Sequence, residues 1–307
     1  MKRLSVSIVV YKNSPEILSK TLQSCLNSKG VSLKLFVIDN SPTDQAKELC
    51  QHPNIEYIHN TSNIGFGKAH NIALTKAVED FKYHIVINPD VYFESDILEK
   101  LYDFMETDEE IGQLMPKVLD PSGSLQHLCK LLPSPYNLVM RRFLSFMKKR
   151  LAKSNYNYEM RFSDYNSVMN VPFLSGCFMF FRTATLKQVG FFDERLFLYT
   201  EDTDLTRRMH RYNKTVFFPD AAIYHHHAKG SYKEPKLLWH NIKSTITYFN
   251  KWGWMNDTER EIINRRATLQ YSSNLNPSHT NGPVIQDNKV DLLSEHYEVE
   301  QILSDSK

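Results

Sequence analysis

Apolar residues follow two different periods along the first 118 residues. Continuous runs rich in β-branched residues predict strands covered on both faces, because such strands have no polar face. Stretches with a helical period lie between them, and a Ser-Pro pair opens two of these stretches, since Ser caps a helix and Pro suits its first turn. The predicted strands are 4–10, 33–39, 54–59 and 83–90, and the predicted helices follow Ser14, Ser41-Pro42, Phe66 and the cap Ser95.

Strands that alternate with helices of this length predict an α/β fold with a mostly parallel central sheet flanked by helices. The alternation ends near Val118, where the turn sequence DPSG at 120–123 follows. Ligands of such sheets bind at the carboxyl ends of the strands. The residues that follow each predicted strand are therefore the first candidates for a site.

The second half is less regular. Residues 133–170 combine a Pro-containing loop, a basic apolar stretch and a Tyr/Asn-rich segment. A strand that enters a helix at Thr183 is then predicted at 171–182, followed by a helix at 197–212 and two short strands at 215–227. A last amphipathic helix at 235–254 predicts a C-terminal helical extension, and the polar residues beyond Arg266 predict a tail that is loosely ordered or helical only in patches.

Composition excludes several classes of protein. The 307 residues carry 37 Lys and Arg against 35 Asp and Glu, a formal net charge of +2, which argues against a dedicated nucleic-acid binder. The four cysteines are widely spaced and predict reduced thiols of a cytoplasmic protein. No stretch approaches the ~20 apolar residues of a spanning helix, so any membrane contact is expected to be peripheral.

Three features at predicted strand ends suggest a nucleotide site. Asp39 can accept the N3–H of a pyrimidine base, although Asp-Asn-Ser also suits a plain turn. Gly65 and Gly67 allow close backbone approach of a ligand before a helix N-terminus, but Gly-x-Gly is common in loops. Asp90 can bind a divalent cation beside a diphosphate, whereas a lone Asp after Pro is more often a turn residue. Val10-Tyr11 lacks the glycine-rich turn of dinucleotide folds.

The sequence YTEDTDLTRR places three carboxylates, Glu201, Asp202 and Asp204, at a helix start. The helix dipole stabilises negative charge there, so capping alone would explain them. Crowded carboxylates also shift one another's pKa, which suits a general base. The histidine run 225–227 follows a predicted strand, whose alternation could turn one ring inward as a metal ligand.

In this order, the motifs resemble those of the family 2 glycosyltransferases of the GT-A fold, most closely their rhamnosyltransferase-like members. The matching sequences are SIVVYKN, VIDNSPTD, NIGFGKAHN, INPDV, FLSGCFMFFR, GFFDERLFLYTEDTDLTRR and HHHAKGS, which together cover roughly residues 4–250. The resemblance implies one glycosyltransferase domain at 1–265, with a nucleotide-binding half at 4–118 and an acceptor and catalytic half at 171–231. The polar tail is then 266–307.

The resemblance also implies roles for individual residues. Asp202 is the base, with Glu201 as its partner, and a divalent cation (Mn²⁺ or Mg²⁺) binds Asp90 and a histidine. His227 fits that histidine best by its distance from Ser231, and His225 is next. The nucleotide sugar is expected to contact Val10, Tyr11, Asp39, Asn63, Gly65, Phe66, Asn71 and Asn88, and Ser175 and Gly176 are expected to border the acceptor. Asn88 replaces the first carboxylate of the family's D-x-D motif, which predicts weaker metal binding.

The implied activity is inverting transfer of a sugar, such as L-rhamnose or another deoxysugar, from a dTDP- or UDP-sugar to a glycan or polyprenyl-diphosphate-linked acceptor in cell-surface glycan synthesis. No nucleic-acid partner is expected. Two other classes of protein stay open. A nucleotidyltransferase usually has a Gly-rich loop with Lys or Arg after the first strand, which YKNSPE lacks. A non-catalytic sugar-nucleotide-binding or membrane-surface module would lose the base, whereas Glu201 and Asp202 are both present.

Residues 138–153 carry six basic residues among Leu, Val, Met and Phe, a composition that suits anionic lipid headgroups or a solvated basic helix. The aromatic residues of 235–254 suit either an interfacial anchor or core packing. These two segments predict a cytoplasmic protein that is peripheral on the inner face of the cell membrane.

Overall fold

Four parallel strands form the first half of the central sheet, in the order β3-β2-β1-β4. They are β1 (Lys2–Val10), β2 (Val31–Asp39), β3 (Ile55–His59) and β4 (Tyr83–Ile87). The computed structural model describes residues 2–138, 148–226 and 235–272 of the chain. The four predicted strands are confirmed, and the apolar side chains of β1 and β4 are buried, as their continuous apolar pattern requires.

The second half of the described sheet is mixed, in the order β4-β10-β6-β11-β5, with β8 paired to β11. These strands are β5 (Val91–Tyr92), β6 (Ile111–Leu119), β8 (Met169–Asn170), β10 (Phe178–Arg182) and β11 (Lys214–His225). A small second sheet consists of β7 (Cys129–Lys130) paired with β9 (Phe173–Leu174). The prediction of a mostly parallel sheet is confirmed, because β1–β4 pair in parallel and so do β6 and β11. Strand β10 is an exception, since it enters at the carboxyl end of β4 and so runs antiparallel to it.

Strand β11 was predicted as two short strands and is a single strand with an irregular register between Phe218 and Ala222. Pro219 lies at that irregularity and has no backbone N–H, so the ladder with β6 is interrupted there without ending the strand.

Helices pack on both faces of the sheet. They are α1 (Pro15–Leu26), α2 (Phe66–Asp80), α3 (Ile97–Glu106), α4 (Lys148–Tyr158), α5 (Thr183–Val189), α6 (Glu201–His210), α7 (Pro235–Trp252) and α8 (Thr258–Ser272). Side chains of α1 and α3 join one core cluster with Leu4, Val6 and Ile8, whereas α2, α5 and α6 cover the opposite face. Within the described ranges, no helix has the length and apolar content that crossing a bilayer requires.

Three helix predictions need correction. The helix expected after Ser41-Pro42 is only a 3-10 helix at Gln45–Cys50. The cap of α3 is Asp96 rather than Ser95. Helix α8 follows the helix predicted to be the last and continues to Ser272, beyond the expected start of the tail at 266. Its few apolar positions stand among charged residues, yet Ala267 and Tyr271 are buried against the main core.

Candidate active site

The carboxyl ends of β1 and β2 meet at one edge of the sheet and are tied by backbone hydrogen bonds. Val10 pairs with Asp39 in the parallel register, and Asn40 N–H donates to Val10 O at 2.8 Å. Tyr11 lies just beyond β1, and its ring is 41% exposed at this edge. The sequence-predicted residues Val10, Tyr11 and Asp39 are therefore together.

Asp39 is fully buried and both of its carboxylate oxygens are engaged within the chain. Oδ1 accepts the backbone N–H of Ser41 at 2.8 Å, and Oδ2 accepts the hydroxyl of Tyr57 at 2.7 Å. Burial, together with this hydrogen bond to Asp39, raises the pKa of Tyr57. Asp39 thus forms the Asp-Asn-Ser turn that was one of its two interpretations from the sequence. Each carboxylate oxygen retains a lone pair that can accept a hydrogen bond from another donor.

The Gly65 loop (residues 63–66) is held in a conformation that only glycine adopts easily. Gly65 has φ +94°, and a Cβ there would lie 2.5 Å from Phe197 O. Asn63 Oδ1 accepts Gly65 N–H at 3.0 Å, while Phe66 N–H donates to Phe197 O at 2.9 Å. The loop therefore presses against the Phe197 backbone and is fixed before α2 begins.

Asn71, which was expected to line the nucleotide and sugar pocket, binds the backbone of Phe192 from both sides of its amide. Its Nδ2 donates to Phe192 O at 2.9 Å, and its Oδ1 accepts Phe192 N–H at 3.1 Å. The side chain therefore joins α2 to the segment that leads to the catalytic helix. Its contact with a sugar nucleotide stays a prediction.

Asp90 and His225 face each other across the ends of β4 and β11. Asp90 Oδ1 lies 3.4 Å from His225 Nε2, and the histidine side chain is only 6% exposed. Gln126 Nε2 donates to His225 O at 2.8 Å, so its Oε1 is the atom that accepts His225 Nδ1–H at 3.2 Å. This hydrogen bond fixes the ring so that Nε2 faces Asp90, an orientation that metal-binding histidines commonly receive from such a partner.

This pair fits a divalent cation, since one carboxylate oxygen and one imidazole nitrogen are suitable ligands at adjacent coordination positions. No group of three or more His, Cys, Asp or Glu side chains suited to a metal occurs in the part of the chain that the structure describes. A diphosphate would have to supply further oxygens. His227 lies outside the described residues.

The bridging segment, residues 175–177, connects the Asp90 turn to Asp202. Asn88 N–H donates to Cys177 O at 2.9 Å, and Gly176 N–H donates to Asp202 Oδ2 at 2.9 Å. A Cβ on Gly176 would lie 3.1 Å from Asp202 Cβ, so the absence of a side chain permits this approach. Burial raises the pKa of Cys177 to about 12, and the charges of Asp90 and Asp202 add to that effect because both lie nearby.

Glu201 and Asp202 are adjacent but have opposite environments. Glu201 is 5% exposed, and its Oε2 has no hydrogen-bond partner among the described residues. Burial, with the charge of Asp202 as the second cause, raises the pKa of Glu201 well above its ordinary value. Asp202 is only partly buried and accepts backbone N–H groups from Gly176 and Thr203. Burial therefore disfavours the charged form of Glu201, whereas Asp202 is partly exposed at the start of α6.

Two strained residues precede this pair. Tyr199 has φ +70° and Thr200 has φ +64°, although neither is glycine. Non-glycine residues in this region cost ~1–3 kcal/mol each and concentrate at functional sites. The strained turn lies directly before α6 and so sets the direction in which the helix begins. The residue types Tyr and Thr do not indicate a positive φ, so the sequence did not predict this turn.

Asp204 serves the structure rather than the chemistry. It is fully buried, and its carboxylate accepts Arg208 Nε at 2.9 Å, Trp252 Nε1 at 2.8 Å and Lys251 Nζ at 2.7 Å. This carboxylate therefore attaches α6 to α7. Sequence reasoning also missed Tyr57 and Gln126, which no motif marks.

A cavity of about 510 Å³ lies elsewhere and contains none of the predicted site residues. It is lined by Leu131, Leu132, Tyr136, Asn137, Lys153, Ser154, Asn157, Tyr158 and Asn264. The Asn264 side chain is bonded on both sides to the Leu132 backbone.

Comparison with known proteins identifies the family. The model of the family described as Glycosyl transferase family 2 matches residues 5–190, more than half of the chain. An N-acetylglucosaminyl-diphospho-decaprenol L-rhamnosyltransferase of Mycobacterium tuberculosis is 29% identical over 247 residues, covering 76% of this chain and 78% of the relative. Rhamnosyltransferase WbbL of Escherichia coli is 27% identical over 282 residues, covering 89% of this chain and 100% of the relative.

Solved structures share the fold. TarS of S. aureus has a TM-score of 0.55 at 18% identity, covering 92% of this chain and 44% of TarS. GalNAc-T7, in a complex with UDP, GalNAc and Mn²⁺, has a TM-score of 0.54 at 15% identity, covering 74% of this chain and 44% of that chain. These likenesses confirm the predicted GT-A architecture. The chain therefore belongs to glycosyl transferase family 2, as a rhamnosyltransferase-like glycosyltransferase of the GT-A fold.

Proposed function

We propose that this enzyme transfers a deoxyhexose, such as L-rhamnose, from a pyrimidine nucleotide sugar to a lipid-linked or glycan acceptor with inversion at C1. The observation that carries the proposal is the position of the Asp202 carboxylate. It is bonded to Gly176 N–H, and the next carbonyl, of Cys177, is bonded to the turn that bears Asp90. One short segment thus supports both the candidate base and the candidate metal ligand.

The donor is assigned from Asp39 and from the relatives. A carboxylate with a remaining lone pair on each oxygen can accept the N3–H that uracil and thymine both present. The relatives named as rhamnosyltransferases favour a dTDP-deoxysugar over a UDP-sugar. Val10, Tyr11 and the Gly65 loop would enclose the nucleoside, with Asn88 and Asn71 on the diphosphate and sugar side.

A divalent cation, Mn²⁺ or Mg²⁺, fits between Asp90 and His225, where it would neutralise the charge of the leaving diphosphate. GalNAc-T7, which shares the fold, was solved with Mn²⁺. Of the two histidines considered from the sequence, His225 has the supporting geometry, because Gln126 orients its ring toward Asp90. The missing carboxylate at Asn88 predicts modest metal affinity.

The chemistry is a single displacement. The acceptor hydroxyl oxygen forms a bond to C1 as the bond from C1 to the diphosphate oxygen breaks, and the nucleoside diphosphate leaves with that electron pair. Asp202 accepts the hydroxyl proton, while Glu201 stays protonated beside it and so does not compete as a base. Because one displacement occurs on one face, the configuration at C1 inverts.

The acceptor is proposed to be a polyprenyl-diphosphate-linked sugar, approached between Asp202 and the bridging segment that contains Ser175 and Gly176. The Mycobacterium tuberculosis relative is named for N-acetylglucosaminyl-diphospho-decaprenol, a lipid-linked sugar. Such an acceptor requires contact with the inner face of the cell membrane. The basic segment 138–153 is a candidate for that contact, but residues 139–147 lie outside the described part of the chain.

A thermal-shift screen of UDP-, dTDP- and GDP-sugars with Mn²⁺ or Mg²⁺ tests the donor and the metal. A ligand at 100 times its Kd stabilises by ~2.7 kcal/mol, so a pyrimidine sugar should raise the Tm and a GDP-sugar should not. His225→Ala should weaken this metal-dependent shift, whereas His226→Ala, which removes an exposed neighbouring ring, should leave it unchanged. Equal shifts with all three bases, or shifts unaffected by EDTA, would contradict the corresponding assignment.

A further inference from the structure

Helix α7 has an exposed face that carries large apolar side chains and no acidic residue. The helix buries Tyr248 and Phe249 completely on its inner side. Along its outer side, Trp239 is 63% exposed and Ile246 is 43% exposed, and Lys243 and Asn250 are exposed between and after them. Spacings of four, three and four residues place these side chains on one face. Trp254 and Met255 extend this face beyond the helix, at 41% and 76% exposure.

The start of this face lies beside the Gly65 loop. His240, the residue after Trp239, stacks on Phe197 with ring centroids 4.1 Å apart and an interplanar angle of 20°. The Phe197 carbonyl oxygen accepts Phe66 N–H and lies against Gly65. A surface that contacts Trp239 would therefore stand next to the proposed donor site.

We propose that the outer face of α7, formed by Trp239, Lys243, Ile246, Asn250, Trp254 and Met255, rests on a lipid bilayer and brings the active site to membrane-bound acceptors. Only the delivery of the active site to membrane-bound acceptors rests on the proposed function, whereas the bilayer contact itself does not. A helix with one apolar face lies in the plane of the interface rather than crossing it. Tryptophan suits that depth because its ring is apolar and its N–H polar.

The chemistry of the face favours lipid over a protein partner. Two Trp residues stand toward its two ends, and Trp254 Nε1 is bonded to Asn250 Oδ1 at 2.8 Å, which holds that ring against the helix. Lys243 lies between them, where its stem can lie along apolar surface and its ammonium can reach headgroup phosphates. No carboxylate on the face would repel an anionic leaflet.

Attachment through this face depends mainly on burial of apolar surface. Lys251 is engaged by Asp193 at 3.0 Å and Asp204 at 2.7 Å, so among the side chains of α7 that the structure describes, Lys243 is the ammonium on the face itself. Binding should therefore change little with salt. Docking by segment 138–153 would instead be electrostatic and salt-sensitive, so ionic strength separates the two contacts.

Co-sedimentation of the full chain with phosphatidylcholine–phosphatidylglycerol vesicles, at low and high salt, tests the proposal. The triple variant Trp239→Gln, Ile246→Gln, Trp254→Gln should lose ~10-fold or more of the vesicle partition coefficient that persists at high salt. The control is Leu269→Gln on α8, where Leu269 is also 63% exposed, and it should bind vesicles as the unchanged protein does. An unchanged Tm for both variants shows that the fold is retained.

Three outcomes would overturn the proposal. The first is vesicle binding that the triple variant retains in full. The second is an equal loss in the Leu269 control. The third is a change of oligomeric state, measured by sedimentation velocity, without a change in vesicle binding, which would assign the face to self-association. Nucleotide-sugar binding by the triple variant, followed by its thermal shift, reports on the proposed function separately.

Discussion

At the scale of single residues, Glu201 and Asp202 show how neighbouring carboxyl groups receive different roles. Burial raises the pKa of the first, whereas the second is only partly buried and accepts Gly176 N–H. Asp202→Asn should therefore lower turnover by ~10²-fold or more with little change in nucleotide affinity. Glu201→Gln replaces a protonated carboxyl group by a neutral amide of similar shape and should retain turnover within ~10-fold.

Steady-state kinetics of the two variants, with nucleotide affinity measured separately, checks this prediction. Asp202→Asn with turnover near that of the unchanged enzyme would remove Asp202 as the base. A larger loss in Glu201→Gln than in Asp202→Asn would exchange their roles.

The Gly65 loop provides a second prediction. Gly65→Ala meets a positive φ and a carbonyl oxygen 2.5 Å from the new Cβ, whereas Gly123→Ala meets a similar φ of +85° with nothing within 4 Å. Both variants should lose ~1–2 kcal/mol of unfolding free energy from backbone strain. Only Gly65→Ala should also displace the loop from Phe197 and weaken nucleotide-sugar binding. Calorimetric binding that is equal in the two variants would show that this loop does not contact the donor.

Single residues could be predicted where chemistry follows a predicted strand end or begins a predicted helix. The candidates Asp39, Asp90 and Asp202 were chosen in this way, and their roles stay predictions. The sequence leaves the choice between His225 and His227 open, because the contact of Gln126 with His225, 99 residues away, has no local signal. The pocket role of Asn71 also stays a prediction, and its bond to the Phe192 backbone, 121 residues away, has no local signal either.

At the scale of elements, α8 is attached to the catalytic helix by a buried ionic cluster. Arg207 is 1% exposed and binds Asp257 at 2.6 Å and Glu259 at 2.6 Å, while its guanidinium lies 4.1 Å from the centre of the Trp252 ring. The salt bridges connect the start of α8 to α6, and the Trp252 ring, which contacts the Arg207 guanidinium, connects the end of α7 to α6. Helix α6, which carries the candidate base Asp202, is thus supported by contacts with α7 and α8.

Asp257→Asn should lower the free energy of unfolding by ~3 kcal/mol or more, because it leaves a buried guanidinium partly unpaired while keeping an oxygen for the Arg260 N–H. Asp96→Asn removes an exposed pair with Lys100, at 52% exposure of each side chain, and should cost less than ~1 kcal/mol. Urea denaturation of both variants measures the difference. Equal small losses would mean that the cluster does not support α6.

Elements were predictable in the first half, where the hydrophobic period is regular and neighbouring strands are close in sequence. The direction of β10 could not be predicted from the sequence, because it depends on where the segment 171–177 enters the sheet. Helix α8 was missed because it is held by buried Ala267, Tyr271 and the ionic cluster rather than by a continuous apolar stripe.

At the scale of the whole molecule, buried neutral histidines couple stability to pH. Burial lowers the pKa of His84 from 6.5 to about 3 and that of His210 from 6.5 to about 4, and it lowers the pKa of His70 as well. His84 lies between the hydroxyls of Ser5 and Ser7 at 2.8 Å each. Below about pH 6.5 the unfolded chain takes up protons that the folded chain does not, so the free energy of unfolding falls as the pH falls.

Each such histidine contributes a slope of at most ~1.4 kcal/mol per pH unit. Denaturation between pH 7.5 and 5 should show this loss, and His84→Gln should reduce its slope. A free energy of unfolding that is constant over this range would contradict the buried, neutral state of these rings.

The proposed function is inverting transfer from a pyrimidine nucleotide sugar. To measure it, the purified enzyme is incubated with Mn²⁺, a dTDP-deoxysugar or UDP-sugar and a polyprenyl-diphosphate-linked sugar, and the anomeric configuration of the product is determined by NMR. We expect a product whose configuration at C1 is opposite to that of the donor, and we expect Asp202→Asn to lose this product. A product with the donor's configuration, or transfer from GDP-sugars alone, would rule out the proposed function.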